Sequence, residues 1–455
     1  MKKLVALTFF VFSTFVYCQT KNASVDGKWV VNFALPDIGQ VNTILEFKTK
    51  DNTFYAASRE DADKILLGNL KAPLARGMSN FKNGSLIRVE KGVYTEENNT
   101  VSLKGVLVSS MGNYNFIGTI LNNKMDVVLS KRDLKPYGKV LGERKDIKLP
   151  MENYSKLFAD AMIVTKEKIY NKSLLETDDW KNFVKKMNEI IPDIQDDLEM
   201  VSAFFYFGGK LNTSHFALLK SMPDEDLSIK PAKCVLLEEK SATTAYLKIK
   251  SFDGEATEMD SIFQVIKSKN YKNLIVDLRN NLGGTVASGM AFANNVFINS
   301  VTGGVFLTQK WFNENASIPA FADYNQFETF SSSNYDLIIK GIHNQKGLLL
   351  KVNPNANPFG GSLYILTNNK TASTCEPLVY ELKKLNRATI VGEKTAGAML
   401  NGEKFELYNN FVMYIPTADY YASDGYRIDQ NGIRPNVETK SDEALDKVLN
   451  ELIKD

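Results

Sequence analysis

The sequence predicts a multidomain α+β protein: an all-β domain over residues 24–140, a helical cap over 150–214 and an α/β core over 215–455. Three observations carry this. Short, partly alternating apolar runs separated by Asn, Gly and Asp fill the first stretch, as in serial β-hairpins. Apolar residues recur at helical spacing through the second. In the third, apolar strand-length runs alternate with helical patterns, which is how βαβ units read. A chain of 455 residues exceeds one ordinary domain, and an apolar fraction of 44% is enough for real cores.

The elements follow in order. Lys2 and Lys3 precede LVALTFFVFSTFVY, a run too short and wrongly flanked for a membrane span, so residues 1–18 read as an export signal. Cleavage after Cys18 leaves Gln19 first; a lipid-modified Cys18 is the alternative, which bulky Tyr17 fits poorly. The expected location is periplasmic or extracellular, with no integral membrane span. GKWVVNFAL, VNTILEFKTK, SLIRVEKGVYT, TVSLKGVLVSS, YNFIGTIL and KMDVVLSKR make a small barrel or sandwich, serving as a binding module or a docking domain. Its opening GKW resembles the start of lipocalin-like barrels. Residues 139–150 read as a charged linker.

Three helical patterns follow, YSKLFADAMIVTKEKIY, DDWKNFVKKMNEII and QDDLEMVSAFFYFGGKL, leading to LNTSHFALL. From Cys234 come strands CVLLEEK and TTAYLKIKSF, a helix over EATEMDSIFQVIKSK, and strand NLIVDLR with NNLGG and a helix after it. VFLTQKWF reads as a strand, residues 313–359 as irregular loops, and GEKFELYNN, FVMYIPTA and GYRIDQNGIRPNVE as strand-like pieces. Residues 441–455 read as a helix capped by Ser and Asp.

Composition excludes several functions. A net charge of +2 without a Lys/Arg run argues against a nucleic-acid partner. Two histidines and three cysteines are too few for a zinc cluster or a disulfide framework, so neither metal nor cofactor is expected. Cys234 and Cys375 have no required pairing.

Residues 361–397, GSLYILTNNKTASTCEPLVYELKKLNRATIVGEKTAG, give strand, tight turn, helix, strand, with Ser373 where the turn becomes the helix. Backbone N–H groups at a helix start lack partners within the helix, and with the helix dipole they can hold the negative oxygen of a tetrahedral intermediate. The plainer reading makes Ser373 an N-cap.

NLIVDLRNNLGG, TASTCEPL (Ser373 three residues before Glu376) and ATIVGEKTAG together resemble the tail-specific, or C-terminal-processing, serine peptidases. That family uses a Ser–Lys dyad whose lysine follows the last of these segments; Ala398 stands there, and Lys394 lies four residues too early. The tricorn-like branch instead takes its base from a T-S-H segment and its acid from a late E-N-x-G-V-x-P-D segment. Thr213-Ser214-His215 and Asp429-Gln430-Asn431-Gly432-Ile433-Arg434-Pro435 match these. The resemblance implies Ser373 as nucleophile, His215 as general base, Asp429 as the acid behind it (shorter than the family's glutamate) and Ser214 as support. Gly283, Gly284 and Thr374 would supply the oxyanion hole. Asp277 and Arg279 would hold the strand end, Cys375 would be core, and His343 an ordinary loop residue.

The implied whole is an exported serine peptidase with a crotonase-like core, a protein or peptide substrate and no specified oligomeric state. Between His215 and Cys234 there is no room for the PDZ domain the family often carries. The alternative is an inactive lipophile- or peptide-binding protein, as in the retinoid-binding repeats that share this fold.

Overall fold

The structure, a computed structural model, describes residues 25–35, 39–75, 82–109, 112–131, 136–144, 152–221, 234–331 and 334–453. The expected export signal with Cys18, part of the expected linker and most of the segment between His215 and Cys234 lie outside the described residues. Contacts divide the chain into two compact units, Met1–Pro36 with Asn42–Leu149, and Asp37–Val41 with Pro150–Asp455.

The first unit holds the expected barrel. Strands β1 (Gly27–Leu35), β2 (Gly39–Lys50), β3 (Thr53–Ala57), β4 (Ile87–Glu97), β5 (Thr100–Ser109), β6 (Gly112–Leu121), β7 (Lys124–Ser130) and β8 (Pro136–Arg144) pair in sequence order. β1 pairs with both β8 and β2, which closes the sheet and removes its edges. Burial alternates along the strands, as a side-chain period of two dictates. Trp29, the aromatic of GKW, is fully buried, donates its indole N–H to Val25 O at 2.9 Å and meets Phe47 edge-on. A helix, α1 (Asp63–Ala75), lies between β3 and β4 and breaks at Gly68, where φ is 72°. The sequence reading leaves this stretch unassigned; Gly68 and Pro73 inside the run lower its helix propensity.

In the second unit, α2 (Tyr154–Lys168), α3 (Asp178–Ile190) and α4 (Asp197–Gly208) form where periodicity predicts, and the side chains of Asn153, Thr177 and Asp196 cap them. Their apolar faces meet in an aromatic cluster of Phe158, Trp180, Phe183 and Phe204, which also takes Phe216. Beyond β9 (Ala217–Lys220) come β10 (Val235–Ser241), β11 (Thr244–Ile249), α5 (Ala256–Ser268), β12 (Asn273–Asp277) and α6 (Val286–Val296). β13 (Val301–Thr308), α7 (Gln309–Glu314), β14 (Glu328–Phe330), α8 (Tyr335–Asn344) and β15 (Gly347–Val352) follow. The chain ends with β16 (Ser362–Thr367), α9 (Cys375–Lys384), β17 (Thr389–Gly392), β18 (Leu400–Glu406), β19 (Phe411–Ala422), β20 (Val437–Glu438) and α10 (Ala444–Lys447).

Strands β10-β11-β12-β16-β17-β20 form a sheet that is parallel from β11 onward. β9, β13 and β18 all pair with β19 in another sheet. Phe252, Phe263, Phe292, Ile365, Val379 and Tyr420 lie in the core these elements share.

Several readings need correction: VFLTQKWF is a strand only to Thr308, after which α7 begins, and residues 139–144 of the expected linker belong to β8. Residues 313–359 are not loops throughout: Ile338 and Ile342 bury one face of α8, Asn334 caps it, and β15 is buried along most of its length. Residues 426–438 are mostly turns, with only β20 extended, because Gln430 and Gly432 both have positive φ. The C-terminal helix begins at Ala444 without a side-chain cap and widens into a π-turn over Val448–Leu452. Ser441 is engaged elsewhere, donating its N–H to Glu393 and giving its carbonyl to Arg279.

Phe116 is fully buried in the barrel, whereas its neighbour Ile117 is 44% exposed. Phe116→Ala should lower unfolding free energy by about 3–5 kcal/mol in a denaturant titration. Ile117→Ala should change it by about 0.5 kcal/mol or less.

Candidate active site

Parallel strands end together, and that places two of the predicted motifs. The register pairs Asp277, the last residue of β12, with Leu366 near the end of β16. The NNLGG loop and the Ser373 turn therefore leave the same edge of the sheet, where α/β proteins gather their polar sites. Asp277 is fully buried and accepts both Arg279 Nε and a terminal Arg279 nitrogen at 2.8 Å, with Tyr246 OH at 2.5 Å. Burial opposes its charge, yet the Arg279 and Tyr246 bonds hold the carboxyl below its ordinary range. This is the structural pairing expected of the D-L-R strand end.

Asn281 then ties three segments together. Its side chain donates to Ile249 O at 3.0 Å and accepts Gly283 N–H at 2.8 Å, while its carbonyl accepts Ala372 N–H at 3.0 Å. Gly283 has φ 102°, and a Cβ there would stand 2.6 Å from Ser373 Cβ, so only glycine fits. One expectation changes here: the Gly283 amide is already bonded to Asn281, so it is not free to bind an oxyanion. The N–H groups of Gly284 and Thr374 have no protein acceptor among the described residues. Gly284 bridges Phe252 through its neighbours' bonds, which turns its own N–H and C=O the other way, and that carbonyl accepts Thr374 Oγ1 at 2.7 Å.

Ser373 is not a helix cap. Thr374 occupies the N-cap position of α9, and Ser373 lies one residue earlier at φ 53°, in the left-handed region. Holding a non-glycine residue there costs about 1–3 kcal/mol. Its hydroxyl is half-buried and has no hydrogen-bond partner among the described residues. Glu376 fixes the turn instead. Its buried carboxylate accepts Thr395 Oγ1 at 2.6 Å, Gly397 and Ala398 N–H at 2.8 Å and Ser373 N–H at 3.2 Å. Burial pushes this carboxyl above its ordinary range, while the four bonds favour its ionised form. The GEKTAG loop is thus clamped to the serine turn.

His215 arrives from elsewhere in the chain. Phe216 is seated among Trp180, Phe183 and Phe204, and Ala217 at the start of β9 pairs with Tyr414 of β19. These anchors leave His215 at φ 58°, with its ring against Tyr414 and close to Gly402. Ser214 Oγ lies 2.7 Å from His215 Nδ1 and donates to Asp429 Oδ1 at 2.6 Å. A hydroxyl has one proton; given to Asp429, it leaves Nδ1 as the donor and Nε2 with a free lone pair. Asp429 is fully buried and also accepts Met399 N–H at 3.1 Å and Arg427 at 3.3 Å. Burial of the imidazole, opposed by the Asp429 charge, pulls the His215 pKa down to about 4. Among the described residues no hydrogen bond joins Ser373 Oγ to the His215 ring.

The structure thus brings His215, Ser214 and Asp429 into one bonded chain, and Ser373, Gly283, Gly284 and Thr374 into one turn. Glu403, the other late acid near the site, pairs with His343 at 2.8 Å and with Thr417, so it does not serve His215. His343 is a residue of α8 rather than of a loop. Lys394 runs along Gly432 in a surface cleft with Tyr380 and Arg434. Cys375 is fully buried, burial raises its thiol pKa, and it and Cys234 are both free thiols. The sequence reading missed the roles of Asn281 and Arg427. Asn281 stands in a quoted motif, but Arg427 has no local signal.

Residues 243–439 match the model of peptidase family S41. A carboxyl-terminal-processing protease of Picosynechococcus sp. is 24% identical over 213 residues, 47% of this chain and 43% of that protein. The chloroplastic carboxyl-terminal-processing peptidase 3 of Arabidopsis thaliana is 22% identical over 223 residues, 48% of this chain and 36% of that protein. The match therefore spans less than half the length of either relative. Among solved structures, the tricorn protease aligns over 94% of this chain and 54% of its own, at 10% identity and a TM-score of 0.42. The photosystem II D1 C-terminal processing protease aligns over 66% of this chain and 98% of its own, at 15% identity and a TM-score of 0.40. Together the family match and the motifs identify residues 243–439 as a domain of peptidase family S41.

Proposed function

We propose that this protein is an exported serine peptidase that cleaves protein or peptide substrates through an acyl-enzyme on Ser373. The observation that carries the reading is the bonded chain from Asp429 through Ser214 to His215 Nδ1. In this mechanism His215 Nε2 takes the Ser373 proton as Oγ attacks the scissile carbonyl, then returns it to the leaving amine. The short side chain of Asp429 reaches the histidine through the Ser214 hydroxyl. Proton-transfer contacts of this kind tighten when substrate is bound, so the unliganded Ser373–His215 gap is consistent with it. The N–H groups of Gly284 and Thr374 stabilise the oxyanion, and Gly283 supplies the space in which the carbonyl approaches.

Several features support these assignments. Ser373 is held in a strained, half-buried turn, and its hydroxyl is free of cap duty. The neutral imidazole is the form a base requires. The acid is fixed by Met399 and Arg427 while one oxygen serves Ser214. A Ser–Lys dyad has no lysine to use, since Ala398 occupies its place and Lys394 lies in the cleft along Gly432. Residues 1–18 provide the export signal; intact-mass measurement of the exported protein should give Gln19 as its first residue.

A fluorophosphonate probe should label Ser373 in the wild-type protein and fail on Ser373→Ala, while Lys394→Ala labels normally. Peptide hydrolysis should fall on the order of 10³-fold or more in His215→Ala. Labelling that persists in Ser373→Ala would overturn the assignment of the nucleophile.

The pH dependence follows from the His215 environment. A protonated base is inactive, so kcat/KM should fall as pH drops through the folded pKa of about 4, rather than near the ordinary 6.5. Asp429→Asn removes the charge that favours the imidazolium, so the imidazole, followed by NMR titration, should titrate lower still. The same variant should lose on the order of 10³–10⁴ in kcat, because Asn can hold the wrong tautomer.

A further inference from the structure

Thr213, next to Ser214 in the chain, lines a cavity of about 330 Å³. Tyr170, Trp180, Phe312 and Tyr421 contribute aromatic walls, and the lining also holds buried Asp419 and partly exposed Arg427. Asp419 is 2% exposed. Its Oδ2 accepts Arg427 Nε at 2.9 Å and Tyr421 OH at 3.1 Å, but its Oδ1 is buried without a donor. Buried carboxylate oxygens are almost always hydrogen-bonded, so an orphan acceptor on a cavity-lining residue points to a donor that enters from outside the chain.

Charge narrows the donor. Arg427 is shared between Asp419 and Asp429, so its single charge meets two carboxylates, and Asp179 adds a third at the cavity lining. The excess is negative, which selects a cation over an anion. The four aromatic side chains suit the same ligand, because ring faces attract ammonium and guanidinium groups, most strongly when these are desolvated. The volume is enough for a group the size of an arginine or lysine side chain.

We propose that this cavity binds a guanidinium or primary ammonium group on an apolar stem, with Asp419 as its acceptor. The source is either a basic side chain of a peptide or a free amine; the chemistry at Asp419 is the same. Because Arg427 links Asp419 to Asp429, an occupant sits one ion pair from the Ser214–His215 chain. The site is separate from the Ser373 centre and does not depend on the peptidase reading.

Calorimetric titration of full-length Ser373→Ala protein with n-butylguanidinium tests the site without any turnover. The expected result is saturable binding that weakens at least tenfold for the neutral isostere n-butylurea. Asp419→Asn and Leu174→Trp, the second of which fills the cavity from a lining position, should each weaken binding to the same degree. Circular dichroism identifies an Asp419→Asn protein that fails to fold, in which case Leu174→Trp decides. Peptides carrying arginine, compared with citrulline at the same position, separate the sources. Tighter binding of the arginine peptide, displaced by n-butylguanidinium, assigns the site to a peptide side chain; saturable n-butylguanidinium binding without a peptide preference assigns it to a free amine. No saturable binding, equal binding of the urea, or binding unchanged in the cavity-filling variant would overturn the proposal.

Discussion

The arrangement depends on the single proton of the Ser214 hydroxyl. Asp429 and His215 are 214 residues apart in sequence, and the Asp429 carboxylate meets the imidazole only through that hydroxyl. An ionised carboxylate can only accept, so the serine proton points to it and the imidazole must give its own Nδ1 proton to the serine oxygen. One hydroxyl therefore sets a tautomer. Every other feature of the His215 environment serves that geometry: the aromatic seat of Phe216, the pairing of β9 with β19, and the Met399 and Arg427 bonds that orient Asp429.

Strain is concentrated at the same places. Ser373 and His215 both lie in the left-handed region, where side-chain sterics resist, and Gly283 lies where only glycine fits. These conformations persist because their surroundings over-determine them. Glu376 gathers four donors from the serine turn and the GEKTAG loop, and Asn281 ties the glycine loop to β11 and to Ala372. A buried carboxyl with a raised pKa is an expensive clamp, and its four bonds offset the desolvation. The helical segment, which carries no reactive spacing, contributes indirectly by supplying the aromatic cluster that holds Phe216 beside His215.

Much of the fold was legible in the sequence, for identifiable reasons. The barrel strands alternate cleanly because one face is core and the other solvent. The helices α2 to α4 carry both periodicity and caps. The failures share a cause as well: α1 contains Gly and Pro, α8 lies in a stretch crowded with Asn and Gly, and the Ser441 cap signal is overridden by tertiary bonds to Glu393 and Arg279. Local propensity is a weak prior that packing overrules.

The sequence by itself determined the serine turn, the glycine loop and the T-S-H segment, because each is a short run whose residue types carry their own backbone requirement. Only the tertiary structure decided how they combine. That Glu376 clamps the serine turn to the GEKTAG loop and that Glu403 serves His343 rather than His215 are contacts between separate segments, and even the bonds of the Gly283 amide to Asn281 and of Arg427 to Asp419 and Asp429, between residues near in sequence, depend on how the surrounding segments pack. Hydrogen-bond partners are settled by which groups the packed strands and helices bring within about 3 Å, and no local pattern encodes that distance.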